Sequence, residues 1–133
     1  GLEIPEEYVR EGVYHDPDRC AELTQELLKL EVPPTCILMP DDISSIGGGN
    51  AIRRMGFRLP GDVSEAGYDG IQLSSVMNPP LTTYRQDTQA LGKTAAAKLI
   101  ELIEKPRTAL VDRILIPGRL VEGASVQAIE PQE

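Results

Sequence analysis

Asp41, Asp42, Asp69, Arg85, Gln86 and Asp87 are the residues whose types and spacing most invite chemistry. Ionised carboxylates accept hydrogen bonds, an amide donates and accepts, and a guanidinium donates through a planar fork. Together they can grip the hydroxyls of a small polyhydroxylated molecule. That is a binding set rather than a reacting one. The sequence holds one histidine, His15 beside Asp16. No nucleophile signature surrounds it, so it reads as a polar surface residue or local cap. Cys20 and Cys36 are the only two cysteines. They make neither a disulfide framework nor a zinc quartet and read as buried thiols. Adjacent carboxylates such as Asp41-Asp42 point apart unless a turn gathers them, so helix capping suits the pair better than a metal. No metal and no cofactor is expected. Gly47-Gly48-Gly49 lacks the Lys-Ser/Thr ending of a phosphate loop, and the G-x-G-x-x-G spacing fails because residue 52 is Ile. Inside a helix three glycines cost about 3 kcal/mol relative to alanines, at ~1 each. The triplet therefore reads as a close approach of backbones, or as a helix that starts late.

Charge and composition narrow the partners. The chain of 133 residues carries 13 Lys+Arg against 21 Asp+Glu, hence 13 − 21 = −8. On the usual length prior that is about one domain. A net negative chain is a poor wrap for a phosphate backbone and a poor fit to an anionic membrane surface. Apolar residues at 41% and charged residues at 26% are ordinary for a globular domain. No apolar run approaches the ~18 residues of a membrane span. Gly1-Leu2-Glu3-Ile4-Pro5-Glu6-Glu7 lacks the basic and apolar regions of a secretory signal. The expectation is a cytoplasmic chain, or one whose start has been removed.

The elements that must position the polar set alternate in type. Val9 to Tyr14 is a short β-favouring run. Asp16-Pro17 reads as an N-cap followed by proline at the first helical position. Cys20, Leu23, Leu27 and Leu30 then fall on one helical stripe that Pro33-Pro34 ends. Thr35 to Met39, apolar without alternation, predicts a strand covered on both faces of a parallel sheet. Asp42 is expected to cap a helix over Ile43–Met55, closed by Gly56 in the left-handed conformation. A turn over Leu59–Asp62 leads to a strand over Val63–Tyr68. Pro79-Pro80 precedes a further strand, Leu81–Tyr84. A helix over Asp87–Lys105 places Leu91, Ala95, Leu99, Leu102 and Ile103 on one face. Arg113–Pro117 and Arg119–Val121 predict a closing strand pair or one broken strand. Such an order is α/β with a mostly parallel sheet and flanking helices. In open α/β sheets ligands bind beyond the carboxyl ends of the strands. There lie Asp41 and Asp42, then Asp69, then Arg85, Gln86 and Asp87. Polar strand-to-helix loops are also usual in any α/β protein, so the residues alone leave both readings open.

Gly56-Phe57-Arg58-Leu59-Pro60-Gly61-Asp62-Val63-Ser64 followed by Gly67-Tyr68-Asp69 resembles a stretch of the lactose-repressor/galactose-repressor (LacI/GalR) regulators, "G-x-x-V/I-P-x-D-V/I-S-V-V-G-F/Y-D-D". Asn78-Pro79-Pro80-Leu81-Thr82-Thr83-Tyr84-Arg85-Gln86, with Leu91-Gly92 beyond, is similar to that family's "P-P-L-T-T-V/I-R-Q-x-x-x-x-L-G". Pro34-Thr35-Cys36-Ile37 with Asp41-Asp42 is similar to its "P-T-A-I-x-x-x-N-D". The resemblance covers about residues 11 to 126.

It implies a periplasmic-binding-protein-like fold of two lobes closing on a small effector, present here incompletely. Residues 1–84 and about 117–128 correspond to the C-terminal lobe, and about 85–116 to the crossover helix and strand of the N-terminal lobe. No DNA-binding domain lies in these residues; operator DNA would be a partner only through an N-terminal domain. The implied function is sensing of a small effector, a sugar or sugar derivative, together with homodimerisation. Effector binding would shift lobe closure and operator affinity without catalysis. The resemblance places Asp69, Asp41, Gln86 and Thr88 at the effector. Asp41 stands where sugar-responsive members often carry Asn, and Thr88 where some members carry an aromatic. It implies a dimer surface on Ile43, Ile46, Asn50, Ser74 and Met77. The alternative is a solute-binding protein of a sugar transporter, which would need a secretory signal. Three departures stand out. Glu65 replaces a Val inside a central strand, where an unpaired carboxylate is costly. Gly70 replaces a second Asp, and the glycine triplet replaces an Ala-rich helix segment. The Leu91-to-Ile103 face lacks an obvious partner within the chain, which favours a dimer or swapped arrangement.

Overall fold

A computed structural model describes residues 3–106, 108 and 113–128. Its elements run α1 (Pro17–Leu28), β1 (Cys36–Leu38), α2 (Asp42–Arg54), β2 (Ser64–Asp69), β3 (Thr82–Arg85), α3 (Thr88–Glu104) and β4 (Arg119–Val121). Short 3-10 turns occupy Glu6–Tyr8 and Gln72–Val76. The strands form one sheet in the order β1-β2-β3-β4. The first two pairings are parallel and the last is antiparallel. This is the expected α/β, mostly parallel architecture.

Local chemistry explains the helix starts. Asp16 accepts the Arg19 N–H at 2.9 Å with Pro17 at the first helical position. Asp87 caps α3 through the Ala90 N–H at 2.9 Å. The cap of α2 is Asp41 rather than Asp42: Asp41 is extended and accepts the Ser44 N–H at 2.8 Å, while Asp42 is already helical. Gly56 closes that helix at φ +89°, where a side chain would be strained.

The core lies between the sheet and the α1/α2 pair. Cys20, Leu27 and Leu28 of α1 pack with Ile37, Met39, Ile52 and Val63, and Phe57 and Leu59 seal the rim. Each large apolar side chain buried this way stabilises the fold by about 1.5–3 kcal/mol. Asp42 adds a polar tie beside this core. Its Oδ1 accepts the Thr83 hydroxyl at 2.6 Å and its Oδ2 accepts the Ile71 N–H at 2.9 Å, fixing the start of α2 to β3 and to the segment that follows β2. Ser125 fastens the returning chain: its hydroxyl donates to the Glu65 carbonyl at 2.6 Å and accepts the Thr82 N–H at 2.8 Å.

Several expectations change. Val9–Tyr14 forms no strand: Val9, Val13 and Tyr14 are exposed and no strand lies beside them to satisfy a ladder. Arg113 to Pro117 is likewise not a strand; Arg119–Val121 alone pairs with β3. The strand at Cys36–Leu38 is covered on one face only, because Ile37 is buried while Leu38 is 78% exposed. Cys36 is accordingly exposed, and only Cys20 is the expected buried thiol. The other sheet face carries Leu38, Leu120 and the stacked rings of Tyr68 and Tyr84, whose centroids lie 5.7 Å apart. No residue of α3 is buried within the chain, which matches its unpartnered stripe.

Candidate functional site

The carboxyl ends of β2 and β3 and the entrance to α1 converge on Asp69. Gly67 and Tyr68 deliver Asp69 to the last position of β2, where its backbone turns to φ +103°. A non-glycine residue held there costs on the order of 1–3 kcal/mol, a strain characteristic of functional sites. Gln86, just past β3, donates its side-chain amide to Asp69 Oδ1 at 2.6 Å. Tyr14, just before α1, points its hydroxyl at both Asp69 oxygens, at 3.4 and 3.3 Å. His15 Nε2 lies 3.8 Å from Asp69 Oδ2. The Asp69 side chain stays 19% exposed, so an incoming donor can reach it.

The Tyr14 ring sits 4.8 Å from the His15 ring, and the residue is 53% exposed. It offers a flat apolar surface beside a carboxylate, which suits the faces and hydroxyls of a sugar ring or another flat polar molecule. Burial first, and then the neighbouring Asp69 charge, raise the Tyr14 hydroxyl above the ordinary tyrosine range. It stays a neutral donor at physiological pH. Sequence reading missed Tyr14 because it assigned the residue to a strand. The available signal was an aromatic immediately ahead of the Asp16-Pro17 helix start.

Asp41 is joined to this cluster but lies beneath it. It is fully buried. Oδ1 accepts the Ser44 N–H at 2.8 Å; Oδ2 accepts the Ser44 hydroxyl at 2.7 Å and the His15 N–H at 3.0 Å. Burial alone would raise its pKa. The bonds from His15 and Ser44 outweigh that and hold the carboxyl below the usual aspartate range. His15 thus hangs from Asp41 by its backbone and leans its ring toward Asp69. Thr88 opens α3, exposed, and lines a recess of about 390 Å³ with Arg85, Gln86, Gln89 and Arg119. A larger cavity of about 560 Å³ lies elsewhere, against Tyr8, Cys20, Leu27, Ile37 and Met39, and is lined mainly by apolar side chains. No group of three or more His, Cys, Asp or Glu fit to hold a metal occurs among the described residues.

On the outer side of α2, Ile43, Ile46 and Asn50 are half-buried at helical spacing. Arg53 donates to Asn50 Oδ1 at 3.0 Å and to the Asn78 carbonyl at 2.8 Å, joining the helix to the 72–78 segment. Met77 is half-buried there. Ser74 turns inward, its hydroxyl on the Ile71 carbonyl at 2.6 Å, and Leu73 and Val76 present the apolar surface instead.

A family model for periplasmic binding protein-like domains matches residues 1–126. The HTH-type transcriptional repressor PurR of Mannheimia succiniciproducens is 36% identical over 128 residues, covering 96% of this chain and 38% of that protein. A transcriptional regulator CelR–cellobiose complex superposes with TM-score 0.86 at 26% identity, covering 94% of this chain and 38% of that one. The lac repressor dimer bound to operator and the anti-inducer ONPF gives TM-score 0.75 at 32% identity, covering 83% and 38%. The chain therefore spans well under half the length of the relatives it matches.

Proposed function

The chain belongs to the periplasmic binding protein-like family, and from that premise and its likeness to PurR and lac repressors we propose that it is the effector-sensing and dimerisation part of a LacI-type DNA-binding transcriptional regulator. The observation that carries the reading is Asp69, held at the strand ends between the Gln86 amide and the Tyr14 hydroxyl while still open to solvent. A ligand hydroxyl that donates to Asp69 would take the place of one of these intramolecular donors. The effector class is a sugar or sugar derivative, as in the cellobiose-bound relative.

Asp69, Gln86 and the face of Tyr14 contact the ligand in this reading; Asp41 positions His15, and Thr88 lines the adjoining recess. Ligand binding favours one lobe arrangement over another and shifts operator affinity by a coupling of about 1–3 kcal/mol. Operator contact belongs to other parts of the regulator, because a chain of net charge −8 does not attract phosphate. The outer side of α2 with Leu73, Val76 and Met77 is the proposed homodimer surface. No catalytic step is involved. As part of a regulator that binds operator DNA, the protein works in the cytoplasm in this reading. The relatives are repressors, which leaves the transporter alternative without a supporting observation.

A thermal-shift panel of mono- and disaccharides tests the site on the chain itself, since a ligand selective for the folded state raises its midpoint. The expected result is a small saturable rise that Asp69→Asn removes. An Asp69→Asn chain that responds like the unmodified one would overturn the assignment.

A further inference from the structure

Two of the departures from the family pattern, Glu65 and the glycine triplet, meet in space. Glu65 sits mid-strand in β2 with no exposed surface, and neither carboxyl oxygen has a hydrogen-bond partner among the described residues. Its side chain points at α2. A Cβ added at Gly49 would lie 2.8 Å from Glu65 Oε2, and one added at Gly48 would lie 3.0 Å from Oε1. The first is shorter than real Cβ contacts and the second is at their tight limit, so the carboxyl occupies volume that an alanine at position 49 would fill. Gly49 opens the space that Glu65 fills, whereas a Cβ at Gly48 would first meet the Met39 methyl and one at Gly47 the Pro17 carbonyl of α1.

We propose that Glu65 is carried in the core as a neutral carboxylic acid, and that its proton is a pH-sensitive pin beneath α2. Burying an unpaired carboxylate is far costlier than burying the protonated acid. Few groups around it could compensate a charge. From α1 the Cys20 thiol faces it, itself pushed up to about 11 by burial and therefore neutral. From β1 the Cys36 thiol is also raised by burial and by Glu65. Of the two arginines that end α2, Arg53 and Arg54, it is Arg53 that acts on Glu65, and its guanidinium is spent on Asn50 and Asn78. Burial pushes the Glu65 carboxyl up to about 8, against a smaller downward pull from the Arg53 charge and the nearby Gly49 backbone.

α2 is capped by Asp41, which suspends His15, and its outer side carries Ile43, Ile46 and Asn50. Charging Glu65 therefore loosens the element that the candidate ligand site and the candidate partner surface share. This inference does not depend on the effector reading.

The sign is definite. The acid ionises more readily unfolded than folded, so folding takes up a proton, and stability falls as pH rises from the ordinary glutamate range to about 8. Urea unfolding of the chain from pH 5 to 9, beside Glu65→Gln, should show the unmodified folding constant dropping on the order of a hundredfold more than the variant's. Gly49→Ala should destabilise the unmodified chain yet be neutral or stabilising in a Glu65→Val background. If Glu65→Gln does not fold, the unmodified chain decides the matter. Carbon NMR of the glutamate carboxyls should then find one that titrates near 8. Parallel pH profiles for the two chains, an equal Gly49→Ala cost in both backgrounds, or all glutamates ionised by pH ~6, would each overturn the proposal.

Discussion

Gln86 holds Asp69 twice: its side-chain amide reaches Oδ1 at 2.6 Å, and its backbone N–H reaches the Asp69 carbonyl at 3.2 Å. The ends of β2 and β3 are thereby clipped together at the point where the backbone of Asp69 is most strained. Arg85 reinforces the clip through the Gly70 carbonyl at 2.9 Å. A ligand that competes for Asp69 acts directly on the joint from which α3 departs.

Asp69→Asn keeps a residue type that tolerates positive φ and removes the charge. It should leave the melting midpoint within about a degree or two, since few contacts change. Effector affinity, measured by calorimetry on the regulator that contains this segment, should fall tenfold or more, because hydrogen bonds to charged groups are worth about 1.5–3 kcal/mol. Unchanged affinity would remove Asp69 from the site.

Tyr14 separates two contributions. Tyr14→Phe deletes the hydroxyl bond to Asp69 but keeps the ring, whereas Tyr14→Ala deletes both. If the ring is a ligand platform, Tyr14→Ala should weaken effector binding roughly tenfold more than Tyr14→Phe, since such aromatic contacts are worth about 0.5–1.5 kcal/mol beyond area. Equal losses would mean that only the hydroxyl matters.

Asp41→Ala strips three donors of their acceptor and uncaps α2, and should destabilise the chain by about 1–3 kcal/mol in urea titration. The acid limb carries a second signature. The Asp41 carboxyl is held low in the folded state, so its contribution is present above the ordinary aspartate pKa and is lost as pH falls through the lower folded value. Asp41→Asn should flatten that part of the acid-unfolding curve.

The uncovered stripe of α3 predicts self-association. Leu99 is 59% exposed and Ile103 70%. Light scattering of the 133-residue chain should find a dimer or a swapped assembly, and the double change Leu99→Glu with Ile103→Glu should shift it toward monomer. A cooperatively folded monomer at high concentration would contradict this expectation.

Sequence periodicity placed the three helices and the first three strands to within a few residues, because their caps, prolines and apolar stripes are local signals. It went astray where tertiary neighbours decide. The β-branched run around Val9 and Val13 has strand propensity but no strand to pair with, so it remains an exposed arm. Asp41 and Asp42 look interchangeable as caps; the choice followed from Thr83 of β3 and Ile71 after β2 claiming Asp42. Asp69 and Gln86 were legible because strand ends in α/β folds are legible. Tyr14 was not, since it meets Asp69 across 55 positions. Glu65 and the glycines were each conspicuous as oddities, and only their contact makes them a pair.

Strand β4 has an architectural corollary. The polypeptide leaves the sheet at Arg85 and comes back at Arg119, and these two are register partners. The described residues between them follow a three-pair antiparallel ladder, Thr83 with Val121, Tyr84 with Leu120 and Arg85 with Arg119, as an excursion follows the stem of a hairpin. A tight Asn-Gly turn spliced directly between Arg85 and Arg119 should therefore yield a minimal, more soluble lobe that keeps Ser125 locked onto Glu65 and Thr82.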